Sequence, residues 1–276
     1  MVELKIKENG FKYLEIKNSS ASAKIALQGA HIFEYKRKNG EPILWLSEMS
    51  DFEIGKAIRG GVPICWPSFG MNNPDLPQHG FARLSMWQLK DVKEIDNATQ
   101  LILTISETQE SLKLWNYKFK LELKVSISDK LSMELCTTNL DEKPFTITQA
   151  LHTYFKISDI ADIAIKGLDT KPYFDALTSL SCVQHGDIWF AKEVDSVYQK
   201  VDTELLLVDK ERTIRLKNSG SSSVVVWNPW IDKCKRMSGM KNEAYREFVC
   251  IESANAFGDF KVIEPKNTHT LKAIIG

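Results

Sequence analysis

Tyr117-Lys-Phe-Lys-Leu-Glu-Leu-Lys-Val-Ser-Ile-Ser128 alternates without a break, with Tyr117, Phe119, Leu121, Leu123, Val125 and Ile127 apolar and every residue between them polar. An extended chain points successive side chains to opposite faces, so this stretch reads as a strand with one apolar and one wet face. Shorter runs repeat the pattern at Leu4–Lys7, Tyr13–Ile16, Leu101–Ser106, Leu131–Leu135, Ile214–Leu216 and Ser223–Trp227. Turn signals lie between them. Asn9-Gly10 separates two such runs, and Asn39-Gly40 separates Phe33-Glu-Tyr35 from Ile43-Leu-Trp-Leu46. Both pairs tolerate left-handed backbone, so both predict antiparallel hairpins.

Helical periodicity is scarce. Its best candidate, Lys233 to Glu247, is interrupted by Ser238-Gly239. The expected fold is therefore mostly β, a large antiparallel sandwich of two packed sheets with few short helices. No linker or composition break divides the chain, which predicts one domain over residues 1–276. The exception to the strand pattern is Pro67 to Gly80, with prolines at 67, 74 and 77 and glycines at 70 and 80. It reads as a long rigid loop, and long ordered loops in compact domains usually carry function.

Composition narrows the partners. The 276 residues carry 36 basic and 36 acidic side chains, a formal charge of zero, so no global field gathers nucleic acid or anionic lipid. The opening Met-Val-Glu-Leu-Lys-Ile-Lys lacks a signal-type apolar core, and no apolar window is long enough to span a bilayer. Cys65, Cys136, Cys182, Cys234 and Cys250 are odd in number and contain no Cys-x-x-Cys pair, which predicts neither a disulfide framework nor a zinc site. The expectation is a cytoplasmic protein without nucleic-acid or membrane partners, with a monomer as the default.

Phosphate-loop, dinucleotide and nucleophile-elbow motifs are missing, and no histidine is spaced from another His or Cys as a helix-borne metal pair. What remains is a set of polar residues in apolar or rigid settings. His152 lies in Ala150-Leu-His-Thr-Tyr-Phe155, where alternation puts it on a face with Ala150 and Tyr154. Alone, it fits a core imidazole bonded to a carbonyl as well as a catalytic one. Glu252 ends the apolar run Phe248-Val-Cys-Ile-Glu252; it fits a structural ion pair or a strand end reaching water as well as a base. Arg59 precedes Gly60-Gly61, and Arg83 closes Gln78-His-Gly-Phe-Ala-Arg83. Glycine backbone lets amides approach an anion closely, and two guanidinium forks beside such backbone suit a phosphate monoester, although an arginine near a loop, taken singly, is more often a surface charge than a ligand. Trp227-Asn-Pro-Trp230 could wall a sugar face or simply pack the core.

Taken together, these segments resemble the aldose-1-epimerase superfamily, and within it the hexose-6-phosphate mutarotase branch. The resembling stretches are Gly29-Ala-His31, Arg59-Gly-Gly-Val-Pro-Ile-Cys-Trp-Pro67, Pro77-Gln-His-Gly-Phe-Ala-Arg83, Ala150-Leu-His-Thr-Tyr-Phe155, Val194-Asp-Ser-Val-Tyr198, Val226-Trp-Asn-Pro-Trp230 and Cys250-Ile-Glu252. The resemblance implies a galactose-mutarotase-type sandwich that interconverts the α and β anomers of hexose 6-phosphates without a cofactor or metal. It implies His152 as general acid, Glu252 as general base, Arg59, Gln78 and Arg83 as phosphate and sugar contacts, and Asp195 as a sugar-hydroxyl contact. His79, beside Gln78, is a further sugar candidate. Where the family often has a basic residue after the aspartate, this chain has Ser196.

Opening a hemiacetal removes the proton from the C1 hydroxyl while the ring oxygen gains one, so a carboxylate and an imidazolium suffice. Free His titrates near about 6.5 and free Glu near about 4.3. A charged imidazole at neutral pH therefore predicts acidic neighbours around His152.

Overall fold

The computed structural model describes residues 1–71 and 73–276, so one residue of the Pro67–Gly80 loop lies outside the description. The described residues form two eight-stranded sheets, a four-stranded sheet and a two-stranded one, and all their strand pairs are antiparallel. Among the described residues no helix is long and apolar enough to cross a membrane.

The alternating stretch forms the strand Phe119–Ile127, held between Ala98–Ser106 and Leu131–Asn139. Phe119, Leu121, Leu123, Val125 and Ile127 are all 2% exposed or less. They join one apolar core with Val224, Val226 and Ile251 of the other large sheet, so the two sheets share a single packed layer.

That second sheet carries the site. Its order runs Leu180–Val183, Pro172–Asp175, Val194–Tyr198, Ser223–Asn228, Phe248–Asn255, Gln149–Leu151 and Ile64–Cys65, with Tyr154–Lys156 also pairing to Phe248–Asn255. The two large sheets are not the whole fold. The N-terminal strands Val2–Ile6, Lys12–Lys17, Ala21–Ala26 and Ile32–Arg37 make the separate four-stranded meander.

Asn9-Gly10 turns as expected, joining Val2–Ile6 to Lys12–Lys17. At Asn39-Gly40 the turn forms with Asn39 at φ 59°, but the second arm leaves its partner after one bridge at Pro42. Proline has no N–H for a ladder, and the chain crosses to bridge Leu44 with Phe155 and Leu46 with Gly60. The expected helix over Lys233–Glu247 is also corrected. A helix covers Trp230–Arg236 and a 3-10 turn Ala244–Arg246, separated where Gly239 takes φ 76°. A further helix, Gln109–Leu114, escaped the periodicity search because it is only six residues long; Thr108 and Ser111 close its capping box.

The loop after Pro67 has an evident physical anchor. Trp66 is fully buried, with Nε1 donating to Thr137 Oγ1 of the other large sheet at 3.1 Å and its ring packed on Phe81, Trp115 and Phe119. Trp66 N donates to His79 O, and the amides of Phe81 and Ala82 donate back to Trp66 O. Gly80, at φ 71°, passes so close to the Trp66 carbonyl that a Cβ would collide with it. The loop is thereby folded back on a buried tryptophan, which fixes Gln78, His79 and Arg83.

Candidate active site

Strand register assembles the floor. Asp195 pairs with Trp227, Trp227 with Cys250 and Val225 with Glu252, so alternation puts Asp195, Val225, Trp227 and Glu252 on one face. Small buried side chains, Cys65, Ala150, Val225 and Ala254, pack there as a separate apolar cluster and leave space above them. The space is a cavity of about 230 Å³ lined by all seven residues singled out in the sequence, namely Arg59, Gln78, His79, Arg83, His152, Asp195 and Glu252, and also by Tyr154, Trp227 and Lys233.

Glu252 does not end its strand. Phe248–Asn255 continues three residues beyond it, buried throughout, and Glu252 itself is only 1% exposed. A polar residue inside a strand buried on both faces reads in the sequence as an end, because it interrupts the apolar run. His152 sits in the gap between Gln149–Leu151 and Tyr154–Lys156, its amide donating to Pro63 O. Its ring stacks on Tyr154 at 4.9 Å and 7°, with the edges of Trp227 and His79 at 6.0 and 5.7 Å. His152 Nδ1 lies 3.3 Å from Glu252 Oε1. The approach is not an aligned hydrogen bond, and both His152 Nδ1 and Glu252 Oε2 are buried without a partner.

The surroundings of His152 correct one expectation. Burial holds the imidazole well below its ordinary value, and His79, Arg83 and Arg59 push it the same way. Its close charged neighbours, Glu252 apart, are thus cationic or basic. Burial likewise holds Glu252 well above the usual carboxylate range, with Asp195 adding to the rise and Arg83 opposing it. Both shifts favour the uncharged forms, since a low-dielectric pocket penalises each charge. Imidazole plus carboxylic acid carries the same number of protons as imidazolium plus carboxylate, so the pair holds its mobile proton either way.

His79 is held at positive φ, 63°, and its Nδ1 accepts from Gly70 N at 3.1 Å. Burial, Arg83 and Arg59 bring its value down to about 3. A neutral ring whose Nδ1 accepts carries its hydrogen on Nε2, so it can donate there. Arg83 gives one Nη2 hydrogen bond to Gln78 O at 2.6 Å, while its Nε is buried without a partner. Among the described residues neither Arg59 nor Arg83 has a carboxylate within ion-pair distance. A buried guanidinium atom without an acceptor costs free energy that an arriving anion would recover.

The glycines beside these arginines play another part than supplying amides. Gly61 N donates to Trp45 O and Gly80 N to Pro77 O, so both are spent within the fold. At Gly61, φ 63°, an added Cβ would meet Ile32 O and the ring of His31. His31 is itself buried, bonded through Nε2 to Gly60 O at 2.8 Å, and brought down to about 4 by burial. It supports the Arg59 segment from beneath.

Trp227 is a wall of the cavity, whereas Trp230 packs on Tyr245 and does not line it. Lys233 was missed. It projects from the helix Trp230–Arg236, with Nζ 2.8 Å from Glu193 Oε1, 3.7 Å from Asp195 Oδ2 and 5.8 Å from the Trp227 ring centroid. Nothing in the sequence separates it from neighbouring lysines, because these contacts join elements about forty residues apart. Ser196, which follows the aspartate, is buried on the opposite face of its strand. No group of three or more His, Cys, Asp or Glu among the described residues is arranged to hold a metal ion.

The chain is similar in sequence and fold to known proteins. A candidate glucose-6-phosphate 1-epimerase of Escherichia coli K12 is 33% identical over 265 residues, covering 94% of this chain and 88% of the relative. One from Cenchrus ciliaris is 36% identical over 245 residues, covering 84% and 74%. The solved structure of a candidate mutarotase from Salmonella typhimurium superposes with a TM-score of 0.93 at 30% identity, covering 99% of this chain and 92% of that one. A galactose mutarotase-like protein from Lactobacillus casei shares the fold, with a TM-score of 0.76 at 16% identity and coverage of 95% and 99%. The aldose 1-epimerase family pattern matches residues 12–276, more than half of the sequence, and the chain belongs to that family.

Proposed function

We propose that the protein interconverts the α and β anomers of hexose 6-phosphates, glucose 6-phosphate first among them, by acid–base opening of the ring. The observation that carries the reading is the adjacency of His152 and Glu252, 3.3 Å apart in a cavity that also holds two arginines without a carboxylate partner among the described residues. The two oxygens that exchange protons, the C1 hydroxyl and the ring oxygen, are both bonded to C1. Acid and base must therefore stand side by side, as these two residues do.

The proton inventory closes. In the resting pair Glu252 holds the mobile proton and His152 carries a hydrogen on Nε2. Passing the Glu252 proton to His152 Nδ1 makes an imidazolium and a carboxylate. His152 Nε2 then donates to the ring oxygen, the C1–O5 bond breaks, and Glu252 takes the hydroxyl proton as C1 becomes an aldehyde. Rotation about C1–C2 presents the other carbonyl face, and the transfers run in reverse to close the ring as the opposite anomer. Each positioned proton transfer contributes on the order of 100- to 10,000-fold. Neither a metal nor a cofactor is required by this balance.

Arg59 and Arg83 are assigned to the 6-phosphate, Gln78 and His79 to the sugar and phosphate rim, and Asp195 to a sugar hydroxyl. The reading takes residues 1–276 as one mutarotase-like domain acting as a cytoplasmic monomer. Its test is saturation-transfer NMR between the anomeric protons of glucose 6-phosphate, repeated with glucose, galactose, mannose and their 6-phosphates. Enzyme-dependent exchange of the 6-phosphates is expected. Exchange of the free sugars alone would move the assignment to unphosphorylated aldoses, and no exchange above the spontaneous rate with any sugar would leave only a sugar-binding sandwich.

A further inference from the structure

We propose that Lys233 is a positioning residue that holds Asp195 as an oriented carboxylate facing the substrate; this rests on the anomerase reading above. Three cations line the cavity, Arg59, Arg83 and Lys233. The arginines have no carboxylate partner among the described residues, whereas Lys233 is bound to Glu193 and lies beside Asp195. A cation already compensated by two carboxylates has little left for a phosphate. Its effect is felt by the carboxylates instead.

Asp195 needs such a partner. It lies on the inner strand Val194–Tyr198 in a half-buried position, and Glu193 precedes it by two residues. The other acidic groups that bear on it are Asp175 from the neighbouring strand and, across the sheet, Glu252, whose carboxyl burial keeps uncharged. Burial pushes the Asp195 carboxyl above the ordinary value, Lys233 draws it back, and Glu193 and Asp175 raise it again. Lys233 is thus the cation that offsets desolvation and the like charges of Glu193 and Asp175. Its own place is set by the Glu193 bond and by the Trp227 ring beneath it. An ionised Asp195 accepts from sugar hydroxyls, whereas a protonated one must donate one of its two oxygens' positions, so losing the cation alters recognition and leaves the His152–Glu252 pair in place.

The test compares wild type with K233M and K233R. An opposite charge at such a distance lowers a carboxyl by roughly one to three pH units, and the partial exposure of Lys233 favours the lower end. The carboxyl ¹³C resonance of Asp195 should therefore titrate about one pH unit higher in K233M, a tenfold change in its ionisation constant. KM for glucose 6-phosphate should exceed the wild-type value at the acid end of the range, by up to about tenfold at pH 5, with kcat little changed. That gap should close by pH 9, where Asp195 is ionised in both proteins, and K233R should restore both readings. An unmoved Asp195 titration in folded K233M overturns the proposal. So does a KM gap of the same size at both pH values, or K233R behaving as K233M. The NMR titration needs no turnover, so it reports on Lys233 even if wild type exchanges no sugar phosphate, a result that would refute the anomerase reading separately.

Discussion

Replacing Arg83 by Met separates phosphate recognition from ring-opening chemistry. Arg83 Nε is buried without an acceptor, and its Nη2 is held by Gln78 O, so the guanidinium is fixed with donors to spare. A charge-assisted hydrogen bond to a phosphate oxygen contributes roughly 1.5 to 3 kcal/mol. R83M should accordingly lower kcat/KM for glucose 6-phosphate by about 10- to 150-fold. For free glucose on the plateau of its pH profile the change should stay within about twofold, because no substrate atom reaches that position. A second effect has the opposite sign. Arg83 helps to hold His152 below its ordinary value and opposes the rise of Glu252, so its removal makes His152 easier to protonate and Glu252 harder to ionise. The acidic limb of the free-glucose profile should move to higher pH in R83M. The assay is anomer exchange measured by saturation transfer from pH 5 to 9 on both sugars, with thermal melting to confirm that the loop has kept its fold. Equal losses on the two substrates would refute the phosphate assignment, and an acidic limb that stays in place would refute the electrostatic link to His152.

Two further outcomes follow from the buried titratable groups. E252Q should reduce exchange by at least about 100-fold while leaving glucose 6-phosphate binding measurable by isothermal titration calorimetry, since only the proton acceptor is lost. Its fold should be no less stable than wild type at pH 8: a carboxyl raised in the fold contributes most below its unfolded value of 4.5, and that contribution is lost as pH rises through the folded value. Normal turnover, or a large loss of stability at pH 8, would overturn that role. His31, lowered from 6.5 to about 4 by burial, has the reverse sign; its contribution is complete above about 6.5 and disappears as pH falls toward about 4, amounting to roughly 3 kcal/mol. H31Q keeps a donor for Gly60 O but cannot titrate, so urea midpoints should fall less steeply from pH 6.5 to 4.5 than in wild type. Parallel slopes would contradict the buried neutral assignment.

What the sequence made legible depended on whether a residue's surroundings were local. Phe119–Ile127 could be read directly because one face of that strand is apolar and the other wet, so its environment is written in the alternation. Phe248–Asn255 could be read only in part, because burial on both faces erases the alternation and makes Glu252 look terminal. Lys233 could not be read, since its meaning lies in Glu193 and Asp195, which reach it only through the tertiary fold. The charge on His152 is the sharpest case. Free-solution values call for acidic neighbours, yet apart from Glu252 the fold surrounds the ring with His79, Arg83 and Arg59, and burial adds to their effect. A buried acid–base pair with one shared proton needs no standing charge, however. It needs only that the neutral and ionic arrangements lie close enough for the substrate to tip the balance. Under the proposed function, a phosphate dianion seated on Arg59 and Arg83 would offset the two cations that disfavour an imidazolium. The same arginines that select the substrate would then ready the acid when that substrate arrives, so phosphorylation should improve turnover as well as binding.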